Sequence, residues 1–450
     1  MRIAVLPLGR PTFDVPFARA TLAAMLAALR KTGHDITGPD DLLLDAQAAA
    51  MARDAAMAAT PDLILILQVT FTDAAFLGGL AETTKIPLAI WAPPEPRLGG
   101  RLRLNAFCGL NLASHALGLR GRRFSWAYGA PDNVDFETLL SGRAAAEPPS
   151  ARPVQASETG RQLAHALRGK RIGRIGAAPD GFDTCAFEPQ AMRTLASVEV
   201  EDIDLAGFFD RARSTPPAPR ATVAALAGID GVDQTELDRS LRLAATLREM
   251  TREGYAAFAL RCWPECFTEY GGAVCGPAAM LGEAGTPCAC EADIYGALTQ
   301  LALRETAQAP VFLTDLVDMD VADDSAVLWH CGQAPPSMAG SAAAATIHTN
   351  RRMPLLYEFA LKPGRVTLAR ISQAQGVPKM VLAGGEMLAR PMAFTGTSGV
   401  IRFHASIAET LPAFIAAGIE HHMALAYGEH RPALRGLAGA LGLPVLEITP

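Results

Sequence analysis

Two carboxylates at the ends of apolar runs carry the strongest chemical signal in this sequence. Glu291 follows Pro287-Cys-Ala-Cys290, and Asp315 follows Val311-Phe-Leu-Thr314. Both runs have the length and texture of buried strands, and the segment between them is long enough for one helix. A helix between two strands brings the strand ends together, so Glu291 and Asp315 can face one space. Asp293 stands where the N-cap of that helix belongs, which leaves Glu291 with less structural reason for its position. Two adjacent imidazoles, His421 and His422, precede a further apolar run. Two carboxylates and one imidazole form an open site for a hard or borderline divalent ion, Mn²⁺ or Mg²⁺, with positions left for substrate oxygens. The bland reading of the His pair is a surface or hydrogen-bonded pair.

Glu265 closes the motif Arg261-Cys-Trp-Pro-Glu265 at the C-terminal end of a strand, where α/β sheets place their ligands. It can touch substrate or metal, or it can cap the next helix or pair with Arg261. The stretch Arg97-Leu-Gly-Gly-Arg101-Leu-Arg103 can attract a phosphate or sulfonate on a substrate, or serve as a solvated basic helix start. Five cysteines cluster at Cys262, Cys266, Cys275, Cys288 and Cys290, but their spacings are not the paired Cys-x₂-Cys of structural zinc. They read as small buried residues.

The elements that position these groups alternate between strand and helix. Residues 3–8, 62–68 and 86–91 read as strands, and residues 17–29 and 104–119 as helices. That alternation implies a parallel sheet covered on both faces. Residues 130–153, with Glu147-Pro-Pro-Ser-Ala-Arg-Pro153, read as a linker. A second alternating region follows, with strands at 171–176, 256–262 and 287–291 and helices at 155–167, 235–252 and 293–304. Beyond residue 309 the short alternating runs are β-like, and a helix at 432–441 and a strand at 444–448 end the pattern. The expected fold is α/β, with two Rossmann-like domains, 1–140 and 154–306, followed by a mainly β, barrel-like C-terminal domain, 307–450.

The 450 residues exceed what one core usually supports, and the net charge of −6 has no basic run to hold nucleic acid. No apolar stretch reaches the roughly 18 residues of a membrane span, and the N-terminus reads as a strand rather than an export signal. A cytoplasmic protein with reduced thiols is the expectation. No Gly-x-Gly-x-x-Gly or Walker-type loop follows a strand.

The segments Gly9-Arg-Pro-Thr-Phe-Asp14, Cys290-Glu-Ala-Asp-Ile-Tyr-Gly-Ala-Leu-Thr299, Leu313-Thr-Asp315, His421-His-Met-Ala-Leu-Ala-Tyr-Gly428 and Leu437-Ala-Gly-Ala-Leu-Gly-Leu-Pro-Val445 resemble the L-fucose isomerase and L-arabinose isomerase superfamily, closest to its L-fucose isomerase-like branch. The resemblance implies a divalent-metal-dependent isomerase that interconverts an aldose and a ketose through an enediolate. It assigns the metal, Mn²⁺ or a similar cation, to Glu291, Asp315 and His422, with His421 as the possible substitute, and proton transfer to Glu291 and Asp315. It further implies a homo-oligomer, a trimer or hexamer, in which a neighbouring N-terminal domain completes the site and gives Arg10 and Trp91 substrate roles. A metal-dependent epimerase or lyase on the same scaffold, or a non-catalytic sugar-binding protein, are the competing readings.

Overall fold

The computed structural model describes residues 1–143 and 146–449. The first sheet is wholly parallel, in the order β2-β1-β3-β4-β5, from β1 (Arg2–Leu8), β2 (Asp35–Thr37), β3 (Leu63–Gln68), β4 (Leu88–Ala92) and β5 (Ser125–Tyr128). The unbroken apolar run of β3 is buried at all six positions, as a strand covered on both faces requires. Helix Val15–Arg30 leaves β1 through the Asp14 side chain, which accepts from the Phe17 amide, with Pro16 in the first turn. Helix Ala106–Leu119 is buried over twelve of its fourteen residues. Its polar members are used inwards. Asn111 donates to the Ile419 carbonyl at 2.7 Å and His115 Nδ1 lies 2.8 Å from the Gly418 carbonyl, which fixes the chain just before the His pair.

The second sheet is also parallel, in the order β7-β6-β8-β9, from β6 (Arg171–Ile175), β7 (Glu199–Ile203), β8 (Tyr255–Leu260) and β9 (Cys288–Cys290). β9 leads directly into helix Ile294–Ala307, whose N-cap Asp293 accepts from the Gly296 amide at 2.8 Å.

The third sheet has nine strands: β10 (Phe312–Asp320), β11 (Ser325–His330), β12 (Ala344–Thr346), β13 (Leu356–Ala360), β14 (Gly364–Ser372), β15 (Lys379–Met387), β16 (Thr397–Phe403), β17 (His422–Tyr427) and β18 (Val445–Glu447). Their order is β12-β13-β16-β11-β10-β17-β14-β15-β18, antiparallel except at β13–β16 and β15–β18. The barrel-like arrangement expected from the sequence takes the form of a curled sheet with outlying strands, not a closed barrel. The sheet curls until the end of β15 meets β16 over Gly385–Phe403, Glu386–Arg402 and Met387–Ile401, while its beginning pairs with β18 instead. β12 and β18 therefore remain the outermost strands of the sheet, each met on its outer side only by a single-residue bridge, from Ala227 and Arg152.

Two apolar clusters join the sheets. One runs from the first sheet through helix Ala106–Leu119 into β10, β11 and β16, and the other packs helix Ile294–Ala307 against β14 and β17. The expected linker is not free chain, since Arg152 and Val445 exchange backbone hydrogen bonds at 2.8 Å; its residues 144–145 lie outside the described residues. Several elements had too little periodicity to be read from sequence, among them helices Ala46–Ala58 and Ile407–Ala417 and strand β15. No helix among the described residues is long and apolar enough to cross a membrane.

Candidate active site

Glu291 and Ala292 turn the chain out of β9 with φ of 60° and 54°. Two consecutive non-glycine residues in the left-handed region cost roughly 1–3 kcal/mol each, a strain held in place by the β9 ladder on one side and the Asp293 cap on the other. The turn aims Glu291 away from the helix that follows. Its Oε1 accepts from Trp263 Nε1 at 3.1 Å and its Oε2 lies 3.0 Å from His421 Nε2.

Asp315 and His422 are register partners across the antiparallel pair β10–β17, so their side chains share one face. His422 Nε2 stands 3.4 Å from Asp315 Oδ1 and 3.8 Å from Glu291 Oε2. Behind it, His422 Nδ1 lies 2.9 Å from Asp293 Oδ2. Asp293 is ionised and accepts only, because the charge of Arg370, followed by His422, outweighs burial and lowers its carboxyl. His422 therefore donates to Asp293 through Nδ1, and its Nε2 faces the two carboxylates. Arg370, with no exposed surface, holds Asp293 with both terminal nitrogens at 2.5 and 3.0 Å.

The carboxylates differ sharply. Burial also works to raise Glu291, but the His421 hydrogen bond and charge, with His422 and Trp263, bring it down to about 2. Burial lifts Asp315 to about 7, with the nearby Glu291 adding to the rise against the pull of His422. Asp315 Oδ1 has no hydrogen-bond partner, a costly state for a buried oxygen unless something else meets it. Asp315, His421 and His422 offer ligand atoms within 4.8 Å of one another, and so do Cys185, Glu291 and His422. Burial holds the Cys185 thiol well above its ordinary value, which disfavours the thiolate a metal would need. Glu291 and Asp315 each approach His422 Nε2 without forming one such group together, and a carboxylate with an orphaned oxygen beside two imidazoles can hold a divalent cation.

Glu291, Asp315 and His421 line a cavity that takes walls from residues beside all three sheets. Arg10 enters it from the end of β1 in the same chain, paired with Asp73 at 2.8 Å and lying 5.1 Å from the Trp263 ring centroid. Two expected residues are not brought here, and these are corrections. Glu265 is tied back to Arg261 at 2.7 Å and does not line the cavity. Trp91 is wholly buried in the first sheet, donating to the Gly129 carbonyl at 2.9 Å and packed edge-on against Phe136. The basic stretch is also committed elsewhere: Arg97 to Asp318 at 2.6 Å, and Arg103 to Asp14 at 2.9 Å. Sequence reading missed Trp263, His330, Arg351 and Arg370. Trp263 was within its reach, two residues before Glu265 in the same motif.

A buried carboxylate pair, a histidine tied through one nitrogen to a third carboxylate, and a cavity beside them form an arrangement that can move protons on a small substrate. Residues 4–139 match the family described as fucose/sulfoquinovose isomerase, N-terminal domain. Similar proteins run the length of the chain. The sulfoquinovose isomerase of Priestia aryabhattai is 29% identical over 437 residues, covering 95% of this chain and 94% of that protein. That of Alkalicoccus urumqiensis is 29% identical and covers 100% and 99%, and that of Clostridium sp. (strain MSTE9) is 28% identical and covers 98% of each. Among solved structures, a solute-binding protein from Burkholderia multivorans covers 69% of this chain and 94% of its own at 10% identity, with a TM-score of 0.20, too loose a likeness to carry an argument. The family match and the full-length likeness to sulfoquinovose isomerases together support the L-fucose isomerase-like superfamily and an aldose–ketose isomerase.

Proposed function

We propose that the cavity moves one proton between adjacent carbons of sulfoquinovose, the sugar named for the relatives, with Mn²⁺ or Mg²⁺ held by Glu291, Asp315 and His422. The observation that supports this reading is Asp315 itself, a buried carboxylate with an unpartnered Oδ1 set 3.4 Å from an imidazole nitrogen that is free to ligate. Bound there, the cation would polarise the sugar carbonyl and offset the charge of the enediolate.

The chain's own groups supply the rest. Asp315, which lines the cavity, can take and return a proton beside the reacting carbons. Glu291 is held ionised and oriented on both oxygens, by Trp263 and His421, and faces the same space. His330 is kept neutral, its value pushed down to about 3 by burial and by His422, so it adds no positive charge. Phe13, Phe71 and Trp329 form apolar walls that restrict water around the reacting carbons. A cytoplasmic homo-oligomer is part of the same reading, and light scattering of the purified protein tests the assembly.

The deciding experiment incubates the protein with sulfoquinovose in D₂O and follows it by NMR, with and without chelation. Formation of the ketose, with deuterium entering at the exchanging carbon and activity lost to chelator and restored by Mn²⁺, is expected. An epimer or a cleavage product would shift the reading to the alternative reactions. Turnover that persists after complete chelation would remove the metal from it.

A further inference from the structure

The far end of the cavity carries an unneutralised cation. Arg351 lines it from the turn after β12, and its guanidinium lies 6.0 Å from the Trp263 ring centroid, on the ring that Arg10 approaches to 5.1 Å. Arg10 is balanced by Asp73. Arg351 is not balanced: among the described residues, no carboxylate stands within ion-pair distance of it. Burial and the charge of Arg10 both act against its protonated form.

The turn that carries Arg351 is built rather than loose. The His348 Nδ1 accepts from the Asn350 and Arg351 amides, each at 3.2 Å, and the Arg352 amide returns to the His348 carbonyl at 2.7 Å. From outside, Arg101 grips Asn350 Oδ1 with two nitrogens at 3.1 and 2.9 Å and ties it to the Thr12 carbonyl at 2.6 Å. The His348 ring packs edge-on against Phe267. A half-buried guanidinium on a braced turn, with no acid of its own, is placed to receive an anion from elsewhere.

We propose that Arg351 binds the sulfonate on the last carbon of the sugar and is the main determinant of the preference for an anionic substrate. This rests on the isomerase reading of the same cavity. Trp263 sets the reach, because its Nε1 is bonded to Glu291 at the reacting end while its ring faces Arg351 at the other. The charge count selects the anion: a single free cation beside a neutralised one matches a monoanionic sulfonate better than a phosphate dianion.

The test compares wild type with Arg351→Met and Arg351→Lys on sulfoquinovose, on its uncharged 6-deoxyglucose counterpart and on glucose 6-phosphate. It also measures calorimetric binding of the sulfonated hexitol, which cannot isomerise. The ratio of kcat/KM for the sulfonated over the uncharged sugar is expected to fall about 10- to 100-fold in Arg351→Met, mostly through KM, with hexitol binding weakened in step and partly restored in Arg351→Lys. An unchanged ratio in an active, folded Arg351→Met would overturn the assignment and leave the isomerase reading standing. A wild type that forms no ketose from any of the sugars, yet binds the sulfonated hexitol through Arg351, would keep the anion site and remove the reaction. Preference for glucose 6-phosphate over sulfoquinovose in wild type would overturn the choice of sulfonate.

Discussion

His422 is bonded through Nδ1 to Asp293 at 2.9 Å, and Asp293 is the N-cap of the helix that begins four residues after β9 ends. One side chain thus caps a helix, fixes an imidazole tautomer and receives a buried guanidinium. Replacing it by asparagine keeps the shape and removes the charge. Asp293→Asn is expected to lower affinity for Mn²⁺ by about 10- to 100-fold, measured by calorimetry, while the far-UV spectrum stays that of the wild type.

Arg370 is the counter-charge in this arrangement, and nothing exposed can replace it. Arg370→Met leaves Asp293 and Glu420 buried without compensation. Destabilisation of about 3–5 kcal/mol is expected in denaturant titration, larger than for any surface pair such as Arg365–Glu386. A loss below 1 kcal/mol would mean the network is not closed as described.

Asp315→Asn and Glu291→Gln remove one donor each from the convergence on His422 Nε2. Both should fold, bind less divalent cation, and lose turnover by about 10²- to 10⁴-fold. Metal content by elemental analysis, read beside circular dichroism, separates the loss of the site from loss of the fold.

The raised value of Asp315 has a consequence for stability in the absence of divalent cation. An acid whose folded value, about 7, exceeds its unfolded 3.8 binds more protons when folded, so its contribution is fully present below about 4 and is lost as pH rises through 7. Chelator-treated wild type should therefore lose thermal stability between pH 5 and pH 8 relative to Asp315→Asn, which lacks the titration. Parallel melting curves for the two across that range would contradict it.

Glu265→Gln supplies a contrast. Its partner is Arg261, at 2.7 Å, and it does not reach the cavity. The kcat/KM of this variant is expected within about twofold of wild type, with a stability change of about 1 kcal/mol or less.

The reacting end of the site was legible in the sequence because Glu291 and Asp315 end apolar runs, and a carboxylate at a buried strand end has few structural reasons to be there. His421 and His422 were legible as a pair, and the structure uses both: one orients Glu291, the other faces both carboxylates. Trp263 and Glu265 share a motif, but the chain turns back on Arg261 after Trp263, and no periodicity signals that reversal. Arg370 lies inside β14 among buried residues, and a guanidinium there looks like a surface residue until its acids are placed. Arg351 sits in a turn whose shape depends on Arg101 and Thr12, far away in the chain. The curl of the third sheet depends on which end of β15 meets β16, a question of register that short alternating runs do not answer.

The groups that face the reacting carbons are seated on or beside sheet strands, whereas Arg351 hangs on a turn held by a few side-chain bonds. The proposed catalytic groups and the proposed substrate filter are thus separable parts. Exchanging the short segment from His348 to Met353 offers a route to retune which sugars are accepted without disturbing the machinery that rearranges them.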